Sequence, residues 1–257
     1  MATAPTLVLV AFILATDTIG AFSLHGGVSN PGRLLALQTN MNTPLRRRPH
    51  AAVSQAYRRQ ACVPRANAGG DLEDDARIIR QAKAWVRDVV VKLRLCPFAE
   101  AVFNARRGVR YVVTPAETTD EVWREFLLEV DFLMDHDRED VGTTLLIAPR
   151  FLSDFREFND FCRWLEETIE DDEALVDQVL VACFHPRHAF HGLERDDVLN
   201  YEKRSPHPTI NLLRADMVDE YIAMGRTLGI AEHNERRLHQ EGKDVVKAAF
   251  EATLALE

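Results

Sequence analysis

Four of the nine histidines fall between His185 and His207, in a segment that also carries Arg187, Arg195, Lys203, Arg204 and, just beyond it, Arg214. His185 directly follows a β-rich run and is held extended by Pro186. In that position it could accept or donate a proton near neutral pH, or it could be a structural histidine bonded to a loop carbonyl. Arg204-Ser205-Pro206-His207-Pro208 runs into an apolar pattern at Ile210, Leu213, Met217, Tyr221 and Met224 that reads as a helix with Pro208 at its first position. The free N–H groups and positive dipole end of such a helix, beside Arg204 and the Ser205 hydroxyl, would make a phosphate or carboxylate cradle. The alternative is that Arg204 pairs with a surface acid and the prolines only shape the loop.

The spacing His185, His188, His191 invites a zinc reading, but no Cys or acidic ligand recurs at a standard interval, so no metal is expected. Cys96 sits where a helix should end, and the negative end of the dipole raises a thiol pKa there. A reactive thiolate would need Arg94, His185 or another cation beside it. Cys162 and Cys183 fall on apolar faces and are read as inert and unpaired. Asn159 is polar close to a buried stripe and could tie down a carbonyl or touch a substrate.

The elements that must position these groups follow from periodicity. Ile79, Ala82, Val86, Val89, Val90 and Leu93 mark one helix from about Asp74 to Arg94, which Pro97 should stop. Val109 to Val113 is a short strand. Thr118 and Glu121 form a capping box for a helix buried along Val122, Phe126, Val130 and Leu133. Thr143 to Ala148 is a second strand, and Ser153 or Asp154 caps a helix lined by Phe155, Phe158, Cys162, Leu165 and Ile169. Gln178 to Phe184 is a third strand, and a final helical region carries Ile230, Leu238, Val245, Val246 and Phe250. Strands alternating with helices define an α/β fold, here a small three-stranded parallel or mixed sheet with βαβ crossovers, covered by about five helices. Ligands of such sheets gather beyond the strands' carboxyl ends, here near Thr114, Arg150 and His185.

The charge is unevenly placed. Residues 1–70 hold seven Arg and one acid (Asp17), a balance of +6, whereas the other 187 residues of the 257 carry −15. Leu7 to Ala15 is an apolar run too short for a bilayer and suited to a signal peptide over residues 1–21. The acid-free basic stretch over 22–70 is transit-peptide-like, and the two together resemble a bipartite algal plastid presequence, with secretion as the alternative. One globular domain is expected over 71–257, with no membrane span and too acidic a balance to bind nucleic acid.

Leu95-Cys96-Pro97-Phe98-Ala99, Thr143-Thr144-Leu145-Leu146-Ile147, Phe158-Asn159-Asp160-Phe161, Phe184-His185-Pro186, and Asn200-Tyr201 leading to Arg204-Ser205-Pro206 occur in an order and spacing that resemble a bacterial and plastid family, domain of unknown function 1415. The resemblance spans about Ala76 to Gly242. It implies an aromatic at the positions of His188 and His207, a small residue at that of His191, and His at that of Asn211. That leaves Cys96, Asn159, His185, Asn200, Tyr201, Arg204 and Ser205 as the matched polar set and implies no activity or cofactor. The resulting expectation is a plastid enzyme acting on a small anionic or phosphorylated metabolite. Arg204, Ser205, Asn200, Tyr201 and Asn159 would bind it, His185 would move a proton, and Cys96 would serve as nucleophile or line the pocket. The rival is a non-catalytic ligand-binding or assembly domain in which the same residues bond to carbonyls and brace the loop.

Overall fold

The computed structural model describes residues 72–104 and 108–257. The presequence readings over 1–70 lie outside the described residues.

Helix α1 (Leu72–Trp85) runs without a break into a π-helical turn (Val86–Val91). Ile78, Ala82, Trp85 and Val89 point inward at ordinary helical spacing, while Ile79 is only half-buried. The chain reverses at Arg94, whose φ is +56°, and a separate helix α2 (Pro97–Asn104) follows. The helix expected from Asp74 to Arg94 thus forms as one run over 72–91, and Pro97, expected only to stop it, begins a further helix that the sequence reading did not include. Next come β1 (Val109–Val113), α3 (Thr119–Asp135), β2 (Thr143–Ile147), α4 (Phe155–Glu170) and β3 (Val179–Phe184). The capping box forms as its spacing predicts: Thr118 accepts from the Glu121 N–H, and the Glu121 carboxylate accepts from the Thr118 N–H at 3.1 Å. Asp154, rather than Ser153, caps α4.

A 3₁₀ turn (Val198–Glu202) interrupts the long loop, and the chain then enters β4 (Thr209–Arg214), α5 (Ala215–Ala223), α6 (Ile230–Glu241) and α7 (Lys243–Leu254). The sheet order is β1-β2-β4-β3, with β1 and β2 parallel and β4 antiparallel to both of its neighbours. The three expected strands thus run in one direction, and a fourth lies between two of them. This corrects both the three-stranded count and the helix expected from Pro208. Ile210 and Leu213 do not share a helical face; Ile210 and Leu212 pack against one side of the sheet and Leu213 against the other, the alternation of a strand. Seven α-helices, two more than expected, cover the sheet among the described residues.

Helices α3 and α4 bury Val112, Leu146, Val181 and Leu212 beneath them on one face. The other face, with Leu145 and Ile147, packs under α1, the π turn, the 3₁₀ turn, α6 and α7. A smaller cluster of Phe98, Ala182, Leu213 and Val218 joins α2 and α5 to the same side. Arg214 closes β4: its Nε donates to the Val141 carbonyl at 2.9 Å and its Nη2 to the carbonyls of Leu133 and His136, satisfying the exposed end of α3. Among the described residues no helix is long and apolar enough to cross a membrane.

Cys162 and Cys183 form a disulfide between α4 and β3, with Cα atoms 6.4 Å apart. The reading of both as unpaired thiols is corrected. The inward face of α4 meets the inward face of β3 there, a pairing that sequence spacing alone does not disclose.

Candidate functional site

The loop after β3 is tied down from within. The Arg187 N–H donates to His185 Nδ1 at 3.1 Å, which makes Nδ1 an acceptor and leaves Nε2–H to donate to the Leu152 carbonyl at 3.3 Å. His185 is buried against the rings of Phe155 and Phe158, and burial pulls its pKa down to about 4. At neutral pH it is an uncharged imidazole with both nitrogens engaged. His188 stands between Phe155 and Phe190, with its Nε2 buried and unpartnered, and burial lowers its pKa to about 3.

Asn200 is fully buried and binds three backbone groups. Its Oδ1 accepts from the Phe190 N–H at 2.9 Å, and its Nδ2 donates to the carbonyls of Glu194 at 2.9 Å and Arg195 at 3.3 Å. Arg204 Nε donates to the His188 carbonyl at 3.1 Å and Nη2 to that of Arg195, with the guanidinium 4.7 Å above the Tyr201 ring. Tyr201 in turn meets Phe250 of α7 edge-on. Ser205 Oγ donates to the His207 carbonyl at 2.6 Å. His207 reaches Gln81 of α1 at 2.7 Å, and Gln81 donates to the carbonyls of Leu254 and Leu256. The loop, α1 and the end of the chain are thereby linked through side chains.

The structure thus brings Asn200, Tyr201 and Arg204 together, with Ser205 next in the chain. It does not bring Cys96 to His185. No hydrogen bond, ring contact or electrostatic interaction joins these two among the described residues. Cys96 packs beside the cluster of Phe98, Ala182 and Leu213, whereas His185 rests on Phe158, beneath the other face of the sheet. Burial pushes the Cys96 thiol up, so it is a weak nucleophile at neutral pH. Asn159 is half-buried on α4. No cluster of three or more His, Cys, Asp or Glu placed to hold a metal occurs among the described residues.

Cys96 does line a cavity. Its helical wall comprises Trp85, Val86, Val90, Phe98 and Val102, and its sheet wall Val109, Leu145, Phe184, Asn211 and Leu213, with Met217 and Val218 of α5 closing one side. The space open to the centres of water-sized molecules is about 70 Å³, several times the minimum of roughly 10–15 Å³ that holds one water. Val109 and Thr143 are the first residues of β1 and β2, so the cavity sits toward the amino ends of these strands, away from Thr114 and Arg150, while Phe184, next to His185, borders it from the carboxyl end of β3. Gly142 shapes the rim, since a Cβ there would lie 3.1 Å from Val102 Cγ1.

The cavity's polar atoms are few. Thr143 Oγ1 lies 2.6 Å from both Asn211 Oδ1 and the Leu212 carbonyl. The indole N–H of Trp85 is buried with no partner. Sequence reasoning missed Trp85, Thr143, Asn211 and Arg214. The available signal was Asn211, one polar residue inside the apolar run Ile210 to Leu213.

Fold and site together define a mixed α/β domain with a braced polar loop beyond the end of one strand and a partly open apolar cavity under the other sheet face. Residues 77–248 match the family described as Protein of unknown function (DUF1415), and the chain belongs to that family. No curated protein and no solved structure matches it.

Proposed function

We propose that the domain binds a small, largely apolar molecule in the cavity between α1, α2 and the sheet, and that His185, Asn200, Tyr201, Arg204 and Ser205 form the brace that holds the long loop. The observation that carries this reading is the division of the polar groups. His185, Asn200, Arg204 and Ser205 each donate to a backbone carbonyl, and the cavity lies on the other face of the sheet, with almost wholly apolar walls. An anion on the Nε and Nη2 edge of Arg204 would displace the carbonyls of His188 and Arg195, leaving two buried acceptors unpaired. Apolar walls with a few converging polar groups are the usual make-up of a small-molecule site.

Ala99 also lines the cavity, and Ala99→Phe would fill it. Cyclohexane-sized fragments should raise the melting temperature of the native protein, and Ala99→Phe should abolish that increment. Arg204→Met should lower the melting temperature yet leave the increment intact. An increment that survives Ala99→Phe and disappears in Arg204→Met would move the site to the loop and refute the reading. We read the basic residues 1–70 as a plastid address from their composition.

A further inference from the structure

The charge around the cavity is one-sided. Among the described residues no Asp or Glu lines it, whereas two buried cations, Lys203 and Arg214, flank it. The Lys203 carbonyl accepts the His185 N–H at 3.1 Å, which seats Lys203 beside the end of β3. Its ammonium stands 5.5 Å from the centre of the Phe184 ring. Phe184 and Cys96 both line the cavity, and Lys203 is near enough to Cys96 to act on its thiol. Burial raises the thiol pKa, and the amides of Phe98 and Ala99 and the Lys203 charge pull against it. Those two amides belong to the first turn of α2, so the positive end of that helix meets the same corner. The neighbouring acid, Glu202, gives its Oε1 to the Asn234 amide of α6 at 3.0 Å. Arg214 adds its charge from the α3 side of the sheet, where carbonyls orient its guanidinium without neutralising it.

We infer that the molecule the cavity takes is a monocarboxylate, an apolar body with one anionic end, and that the Lys203 ammonium receives the carboxylate at the corner between Cys96 and Phe184. The inference rests on the cavity being the binding site and adds the ligand's charge. A cationic ligand would meet two positive charges and no lining carboxylate. An anion there gains a charge-assisted hydrogen bond in a poorly solvated corner, while its apolar body covers the walls. The flexible stem of a lysine lets the ammonium follow the carboxylate. Inorganic phosphate has no apolar body to offset its dehydration and gains little at the same corner.

Cyclohexanecarboxylate and cyclohexanecarboxamide have nearly the same shape and differ in charge. Titrated into the native protein at pH 7, the carboxylate should bind about tenfold more tightly or better, and both should shift the ¹⁵N–¹H resonances of Val86, Val90 and Leu213. Lys203→Met should lose about tenfold in affinity for the carboxylate and keep that for the carboxamide within about twofold, and Lys203→Arg should retain the preference. Equal binding of the two probes at the cavity would overturn the charge inference and leave the site standing. A carboxylate preference undiminished in Lys203→Met would overturn the assignment to Lys203. If neither binds up to its solubility limit, or the shifts fall outside the cavity, the site itself is wrong. The comparison of the two probes uses only native protein, so poor folding of Lys203→Met would not remove the test.

Discussion

Two imidazoles buried as neutral groups make the domain sensitive to mild acid. His185 and His188 have pKa values lowered to about 4 and about 3 by burial, against about 6.5 for an exposed imidazole. Between pH 7 and 5 the unfolded chain takes up protons at these two positions that the folded chain refuses, and His207, whose pKa burial also lowers, adds in the same sense, so stability falls as the pH falls. At pH 5 each group lies about 1.5 pH units below its unfolded pKa, a loss of about 2 kcal/mol each and about 4 kcal/mol together. Glu202 acts in the opposite sense: burial raises its pKa, so protonation favours the folded state near and below its ordinary range and offsets part of the loss. Asp88 and Asp154, with lowered pKa values, weaken the fold only at still lower pH. Urea denaturation at pH 7 and pH 5 measures the difference, and His188→Phe apportions it. That variant keeps an aromatic ring between Phe155 and Phe190 and removes the unpartnered Nε2. It should match or exceed the native stability at pH 7 and lose about half of the pH dependence, roughly 2 kcal/mol. A native loss below about 1 kcal/mol between the two pH values, or an unchanged slope in His188→Phe, would refute the burial argument.

Other consequences can be checked independently. Arg204→Met should cost about 2–4 kcal/mol in chemical denaturation, because the carbonyls of His188 and Arg195 lose their donor; a cost within 0.5 kcal/mol, the range of an ordinary surface change, would contradict the brace. The Cys162–Cys183 disulfide closes a sequence separation of 21 residues, so Cys162→Ser with Cys183→Ser should cost about 3 kcal/mol, or roughly 6–12 °C in Tm, and dithiothreitol should reproduce that shift in the native chain. If residues 1–70 are a plastid address, the mature protein should begin near Gly70; a persistent start at Phe22 would favour secretion.

Much of the scaffold was legible in the sequence. The strands at Val109–Val113, Thr143–Ile147 and Val179–Phe184 each follow or precede a clear turn signal, and the Thr118–Glu121 box announces its helix. Residues 209–214 were not legible, because a strand with apolar residues on both faces loses its alternation, and Ile210 and Leu213 mimic a helical interval. The first helix buries Ile78, Ala82 and Trp85, a stripe beside the one read through Ile79 and Val86, and that neighbouring stripe hid Trp85. The polar loop residues were found from the sequence, and their partners were not, since backbone carbonyls carry no sequence signal. The cavity was the least visible feature. Its walls come from positions between Trp85 and Val218 that meet only once α1, α2, α5 and the sheet have packed.

The central claim, that the cavity binds and the loop braces, is tested most directly by amide ¹⁵N–¹H shift maps recorded with cyclohexanone and, separately, with inorganic phosphate. The account predicts saturable shifts with the ketone at Val86, Val90, Val109, Leu145 and Leu213, and no saturable change with phosphate from Asn200 to Ser205. Saturable phosphate shifts at Arg204 and Ser205, with none from the ketone at the cavity, would contradict it.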